Sequence, residues 1–188
     1  MDPQGLHVVP FKKPTTEELD HDFLWRVHKE VPAKGQIAIF NRSHYEDIIA
    51  VRVKKIFPDP VWKRRYKHVL DFESMLAEEG TVIIKLFLNI SKAEQKKRLE
   101  SRLQDPDKLW KFCMDDLDDR NRWDEFQTAY QDLIEKTSTP EAPWYIIPAD
   151  RKWYRNLVVA RLMVEKLRHL QLSLPTPNFD PASIIIPD

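Results

Sequence analysis

The sequence predicts an α/β protein, a mainly parallel sheet with flanking helices and a helical lid. Three observations carry this expectation. Gln36–Phe40 (QIAIF) and Thr81–Leu88 (TVIIKLFL) are nearly continuous apolar runs, the pattern of strands buried on both faces. Amphipathic, helix-like stretches separate the strand-like runs, as crossover helices separate the strands of a parallel sheet. The stretch from Ser91 to Glu135 is helical with no strand of its own, so residues 91–135 read as a lid over the strand ends.

Each element has a local reason. Leu6–Phe11 is a short apolar run closed by Pro14, hence a strand. Thr15 or Thr16 caps a helix with Glu17 and Glu18 in its first turn, running to about Glu30 with Leu19, Phe23 and Val27 on one side. Val31–Gly35 is a turn before the QIAIF strand. Ser43 caps a helix from about Glu46 to Ile56, which Pro58 and Pro60 stop. Val61–Glu79 is an amphipathic helix ended by Gly80. The TVIIKLFL strand follows, then a helix capped by Ser91 over Lys92–Leu103, broken at Asp105-Pro106. A charged, aromatic segment leads to a helix near Arg120–Glu135. Tyr145–Pro148 is a last strand, and Asp150 caps a helix to about Leu170. Residues 1–170 read as one domain and 171–188 as a Pro-rich tail.

Composition removes several classes. Charged residues make up 32% of the chain yet balance to a formal net charge of zero, whereas a general nucleic-acid binder is more often basic overall; local basic patches stay open. Cys113 is the single cysteine, which favours a reducing compartment and a cytoplasmic placement. The N-terminus lacks the apolar core of a signal peptide, and the longest apolar strip is too short to span a bilayer. The 3 glycines, Gly5, Gly35 and Gly80, are far apart. No window supplies the clustered glycines and following Lys of a phosphate-cradling loop.

Ligands of open α/β sheets bind beyond the carboxyl ends of strands. Asn41-Arg42-Ser43-His44-Tyr45-Glu46-Asp47 follows the QIAIF strand; Arg42 could hold a phosphate and Glu46 or Asp47 could face a metal or ribose, or the segment could be a polar loop capping a helix. Arg98, Arg102, Lys108 and Lys111 lie on or beside one helical arm, either as a track for a polyanion or as a solvated face paired with Glu94 and Glu100. The carboxylates of Asp115–Asp124 could bind Mg²⁺ but more simply favour a helix N-terminus. Asp150, after the last strand, could touch a nucleotide or merely cap a helix. Trp62–His68 (WKRRYKH) mixes bases with aromatics, but its helical spacing fits core aromatics better than stacking platforms.

On Pro10–Thr15 (PFKKPT), His21–His28 (HDFLWRVH), Val31–Gly35 (VPAKG), Phe40–Asp47 (FNRSHYED), Arg98–Lys111, Trp123–Tyr130 (WDEFQTAY) and Thr137–Asn156, the chain resembles the family-2 polyphosphate kinases. It is most similar to the branch that phosphorylates nucleoside mono- and diphosphates from polyphosphate. The resemblance implies a P-loop kinase fold with a helical lid, Mg²⁺ as cofactor, inorganic polyphosphate and a nucleoside mono- or diphosphate as substrates, and a homo-oligomer with neither nucleic acid nor membrane as partner. It implies that Asn41-Arg42 stands at the Walker B position, with Arg42 and Asp47 catalytic, Asp47 bearing on nucleotide choice, and Asn41, Glu46 and Asp150 near the nucleotide. Arg98, Arg102, Lys108 and Lys111 would bind polyphosphate.

The family's Walker A segment lies upstream of the region matched by Met1, and Asn41 is neutral where many P-loop enzymes carry an Asp. The strand that precedes that segment sits mid-sheet, so the sheet is expected to be gapped or rearranged between Gln36–Phe40 and Thr81–Leu88. A non-catalytic polyphosphate-binding or oligomer-forming protein is the rival expectation.

Overall fold

A computed structural model of the chain describes residues 5–173, 176–184, 186 and 187. It contains two two-stranded sheets, and the chain divides into two compact units, residues 1–87 with 91–146, and residues 88–90 with 147–188.

In the first sheet, β1 (Leu6–Pro10) runs parallel to β2 (Ile37–Asn41), with Val8 opposite Ile39 and Val9 opposite Phe40. One face packs: Val9 joins Phe11, Val27 and Phe72 in a buried cluster that Phe40 also touches. The connection between them is not the single helix expected from Thr15 to Glu30. It breaks into α1 (Thr16–Asp20) and α2 (Trp25–His28). The Asp22 carboxylate accepts from the Leu24 N–H, a local turn that competes with the helical ladder. Val27 is fully buried while Leu19 is exposed, so only the second half of the expected apolar stripe serves the core. The Thr15 cap is present as a full capping box with Glu18.

The main core lies between α3 (Glu46–Val53), α4 (Asp59–Glu78) and α7 (Trp123–Thr137). Ile48, Ile49, Val51 and Val53 from α3 meet Trp62, Tyr66 and Val69 from α4 and Ala129 and Leu133 from α7. Trp62 and Tyr66 are therefore core residues, unavailable for stacking on bases. Pro60, expected to stop the preceding helix, instead occupies the first turn of α4, where its missing N–H costs nothing. Ser43 does not cap α3; Tyr45 holds that position, without a side-chain cap.

The second sheet pairs β3 (Lys85–Asn89) with β4 (Trp144–Pro148). The strand expected over Thr81–Leu88 is shorter, because residues 81–84 are irregular. No ladder joins β2 to β3 among the described residues, so the expected gap in the sheet is present. The lid segment holds α5 (Lys92–Gln104), a 3-10 turn (Pro106–Lys111), and α6 (Asp115–Asn121) leading to α7. The helix expected near Arg120–Glu135 is thus two helices, with Arg122 at their junction.

In the second unit the Ala149 N–H donates to the Asn89 carbonyl at 2.8 Å, and α8 (Lys152–His169) follows. Its N-cap is Arg151, not Asp150, and that side chain makes no cap hydrogen bond. α8 buries none of its residues fully. No helix among the described residues is long and apolar enough to cross a membrane.

Candidate active site

The carboxyl end of β2 presents its candidate residues on an unusual backbone. Arg42 has φ 63°, the left-handed region that costs a non-glycine residue about 1–2 kcal/mol. Such strain persists where the surroundings over-determine it, and functional sites are where it collects. Asn41 and Arg42 are exposed. Asn41 is tied down by its carbonyl, which accepts from the Phe11 N–H at 3.0 Å.

Glu46, one helical turn on, is largely buried, and burial raises its pKa. Arg42 opposes that rise, whereas the neighbouring Asp47 and Asp119 add to it. Asp119, from α6 in the lid segment, therefore stands in the field of Glu46. Tyr130 lies in the same field: burial raises its phenol, Glu46 and Asp119 raise it further, and Arg42 lowers it. Asp119 Oδ1 sits 2.7 Å from Lys54 Nζ, yet in an orientation that is not a hydrogen bond, so this buried oxygen has no hydrogen-bond partner. Arg42, Glu46, Asp119 and Tyr130 thus form a mixed-charge cluster. The sequence places the first two there and offers Asp119, within Asp115–Asp124, either as a Mg²⁺ ligand or, more simply, as part of an acidic helix start. The missing signal was tertiary, the turn that brings α6 back against α3.

Asp47 faces elsewhere. Its carboxylate accepts from Arg26 Nη2 at 3.1 Å, and its backbone carbonyl accepts from Arg65 Nη1 at 2.6 Å. Arg26 is itself buried, donates to the Lys12 carbonyl at 2.9 Å and lies 3.6 Å from Glu18. Asp47 is thereby the centre of a knot joining the segment after β1, α1, α2 and α4.

The lid cations all have partners within the lid. Arg98 pairs with Glu94 at 2.7 Å, Arg102 with Asp116 at 3.0 Å, and Lys108 with Asp105. The expected pairing of Arg98 with Glu94 is therefore present. Lys111 lies over the Trp110 ring, 4.9 Å from its centroid. Asp150 is exposed, just before α8.

Behind α3 lies a buried polar cluster that sequence reasoning missed. Lys85 Nζ donates to Glu73 Oε2 at 2.7 Å, to the Thr137 carbonyl at 2.7 Å and to Tyr45 Oη at 3.1 Å. The Tyr45 hydroxyl donates to Glu73 Oε1 in a short hydrogen bond, and His44 Nε2 lies 3.3 Å from the same oxygen. Burial alone would raise Glu73, but the hydrogen bonds from His44, Lys85 and Tyr45 and the Lys85 charge hold it below the usual carboxylate range. The Lys that interrupts the apolar TVIIKLFL run is the one visible sign of this cluster.

A sequence model of the family described as Polyphosphate kinase 2 matches residues 1–174. The chain belongs to the polyphosphate kinase 2 family. The AMP/ADP-polyphosphate phosphotransferase of Meiothermus ruber is 52% identical over 99% of this chain and 70% of that protein. The ADP-polyphosphate phosphotransferase of Rhodopseudomonas palustris is 39% identical over 93% of this chain and 65% of that protein. The crystal structure of polyphosphate kinase 2 from Arthrobacter aurescens superimposes with a TM-score of 0.94 at 50% identity, covering 97% of this chain and 65% of that one. The polyphosphate kinase 2 chain thus spans roughly two thirds of these relatives' length, and its α/β architecture is theirs.

Proposed function

We propose that this polyphosphate kinase 2 chain carries the acceptor-side machinery of a polyphosphate:nucleotide phosphotransferase, moving a terminal phosphoryl from polyphosphate to AMP or ADP. The observation that carries the reading is the strained Arg42 at the carboxyl end of β2, whose charge acts on the neighbouring Glu46, in a chain similar to AMP/ADP-polyphosphate phosphotransferases. Phosphoryl transfer needs positioning and charge stabilisation more than covalent chemistry. An exposed guanidinium held by a fixed backbone supplies both, because its planar fork binds two phosphate oxygens at once.

Mg²⁺ is bound in such enzymes by one or two carboxylates together with substrate phosphates, not by an all-protein cage. Among the described residues no group of three carboxylate, His or Cys side chains could hold a metal. Glu46 and Asp119 fit the smaller requirement, two carboxylates of which Asp119 disfavours the charge of Glu46 and has an oxygen lacking a hydrogen bond. Bound there, the metal would neutralise phosphate charge. Arg42 would hold the transferred group, and Arg98, Arg102, Lys108 and Lys111 would track the polymer after exchanging their own carboxylates for phosphates. Asn41, Asp47 and Asp150 would act around the nucleotide, Asp47 by holding α3 in place. A cytoplasmic homo-oligomer completes the proposal.

The test is chromatographic detection of ADP and ATP from polyphosphate and AMP with Mg²⁺. It is run with the chain alone and with the unmatched portion of the Meiothermus ruber protein added. Product that falls at least a hundredfold in Arg42→Ala supports the reading; no product in either mixture rejects it. Polyphosphate binding without turnover would favour the non-catalytic rival.

A further inference from the structure

The strain at Arg42 is not of the ordinary kind, and close by lies a buried charge pair that the proposed reaction does not use. The other non-glycine residues with positive φ among the described residues are Lys55 and Gln171, at 54° and 47°. Each follows the last turn of a helix, α3 and α8, where a left-handed residue is the common way to end one. Arg42 instead leads into a helix, so its backbone must be held from both sides. Upstream, Asn41 is fixed by its register opposite Pro10, and its carbonyl accepts from the Phe11 N–H. Downstream, His44 and Tyr45 are tied to one oxygen. Glu73 Oε1 accepts from the Tyr45 hydroxyl and, at 3.3 Å, from His44 Nε2. This leaves the buried Nδ1 of His44 without a hydrogen-bond partner among the described residues. Glu73 Oε2 accepts from Lys85 Nζ at 2.7 Å, and Lys85 also donates to the Thr137 carbonyl at the end of α7. Arg42 and Ser43 alone bridge the two fixed points.

We propose that Glu73 and Lys85 are positioning residues: they anchor His44 and Tyr45, and that anchor holds Arg42 in its left-handed backbone and fixes where its guanidinium stands. The inference rests on the reading of Arg42 as a phosphate ligand. A buried ion pair is seldom the most stable filling for a core, since well-packed apolar residues of similar volume often do as well or better. What the pair adds is direction. Two adjacent side chains converge on one carboxylate oxygen, and Lys85 fixes the other, so the carboxylate cannot turn without breaking a bond. Apolar packing at the same place would let the segment after β2 settle in several arrangements, and Arg42 could then relax out of its strained conformation. Neither Glu73 nor Lys85 would touch phosphate; both act through Arg42.

The test cuts the tie without stranding either charge. His44→Phe and Tyr45→Phe keep aromatic rings but remove the groups that donate to Glu73 Oε1, while Lys85 stays paired with Glu73. The probe is inorganic tripolyphosphate, titrated against the full chain with Arg42 present and with Arg42→Ala. Arg42→Ala alone is expected to weaken binding about tenfold, through loss of a charge-assisted, bidentate contact. His44→Phe combined with Tyr45→Phe is expected to weaken binding about fivefold when Arg42 is present and to have no further effect beside Arg42→Ala, the non-additivity of groups that act through one another. In NMR spectra the combined variant should lose the strong contact between amide and α protons that a left-handed residue shows at Arg42. Persistence of that contact overturns the proposal. Equal weakening in both backgrounds also overturns it, because a general structural loss would do the same. So does unchanged binding in the combined variant while Arg42→Ala weakens it. If Arg42→Ala binds as the unaltered chain does, Arg42 is no phosphate ligand and the function proposed above fails; the anchor is then decided by the proton contact at Arg42, whose loss upholds it. Tyr45→Phe alone, read in the same way, decides the question if the combined variant does not fold.

Discussion

Arg42 and Glu46 are held in states the fold does not favour for its own stability. Replacing Arg42 with Gly removes the left-handed penalty along with the guanidinium, whereas Ala keeps the penalty. Arg42→Gly is expected to be more stable than Arg42→Ala by about 1 kcal/mol, with both inactive; equal denaturation midpoints would show the backbone unstrained. Glu46 has a raised pKa from burial, so its contribution to stability is full below the unfolded value and is lost as pH rises through the folded value. Glu46→Gln should therefore raise the unfolding midpoint by about 2–4 °C at neutral pH, the shift that ~1 kcal/mol makes in a chain of this size. The gain should vanish near pH 4. A midpoint that falls at neutral pH would contradict this. Glu73 has the opposite sign: its pKa is depressed, so its stabilisation is present at neutral pH and disappears as pH falls through the folded value. Glu73→Gln strands Lys85 in the core and should cost about 3–5 kcal/mol in urea unfolding. Glu73→Gln with Lys85→Met should recover part of that loss. A single-variant cost under about 1 kcal/mol would mean that the pair is hydrated.

Among the helices and turns, local signals work where no distant partner competes. Gly80, with φ 91°, ends α4 as its position in the sequence implies. The Thr15 capping box and the Ser91 cap of α5 form for the same reason. The lid is different, because its cations and carboxylates already neutralise one another. Asp116→Asn should strengthen polyphosphate binding about tenfold, the effect of ~1.4 kcal/mol, by releasing Arg102 and removing a repelling charge. Arg102→Ala should weaken binding and flatten its salt dependence. Both follow from titration of the polymer at two ionic strengths, and an Asp116→Asn affinity equal to that of the unaltered chain would place the polymer elsewhere.

Across the chain, stability is uneven. The α3, α4 and α7 core holds Ile48, Ile49, Val69 and Leu133, each almost completely buried, whereas α8 buries none of its residues fully despite Trp153, Tyr154, Leu157 and Val164. Amides of α8 should exchange through local opening well before those of α4 and α7. Equal, globally limited exchange in both would show that α8 is packed in solution.

Much of this was readable from residue order. The four strand positions, the caps at Thr15 and Ser91, Gly80 as a stop, Trp62 and Tyr66 as core, and the FNRSHYED segment at a strand end all rest on short-range rules of period, capping and turn chemistry. The broken α1–α2 connection, the shortened β3, the Lys85–Glu73–Tyr45 cluster, the Asp47–Arg26 knot and the approach of Asp119 to Glu46 were not readable in that way. Each depends on residues far apart in the chain, and only the packed molecule decides which charges meet and which are left to face a ligand.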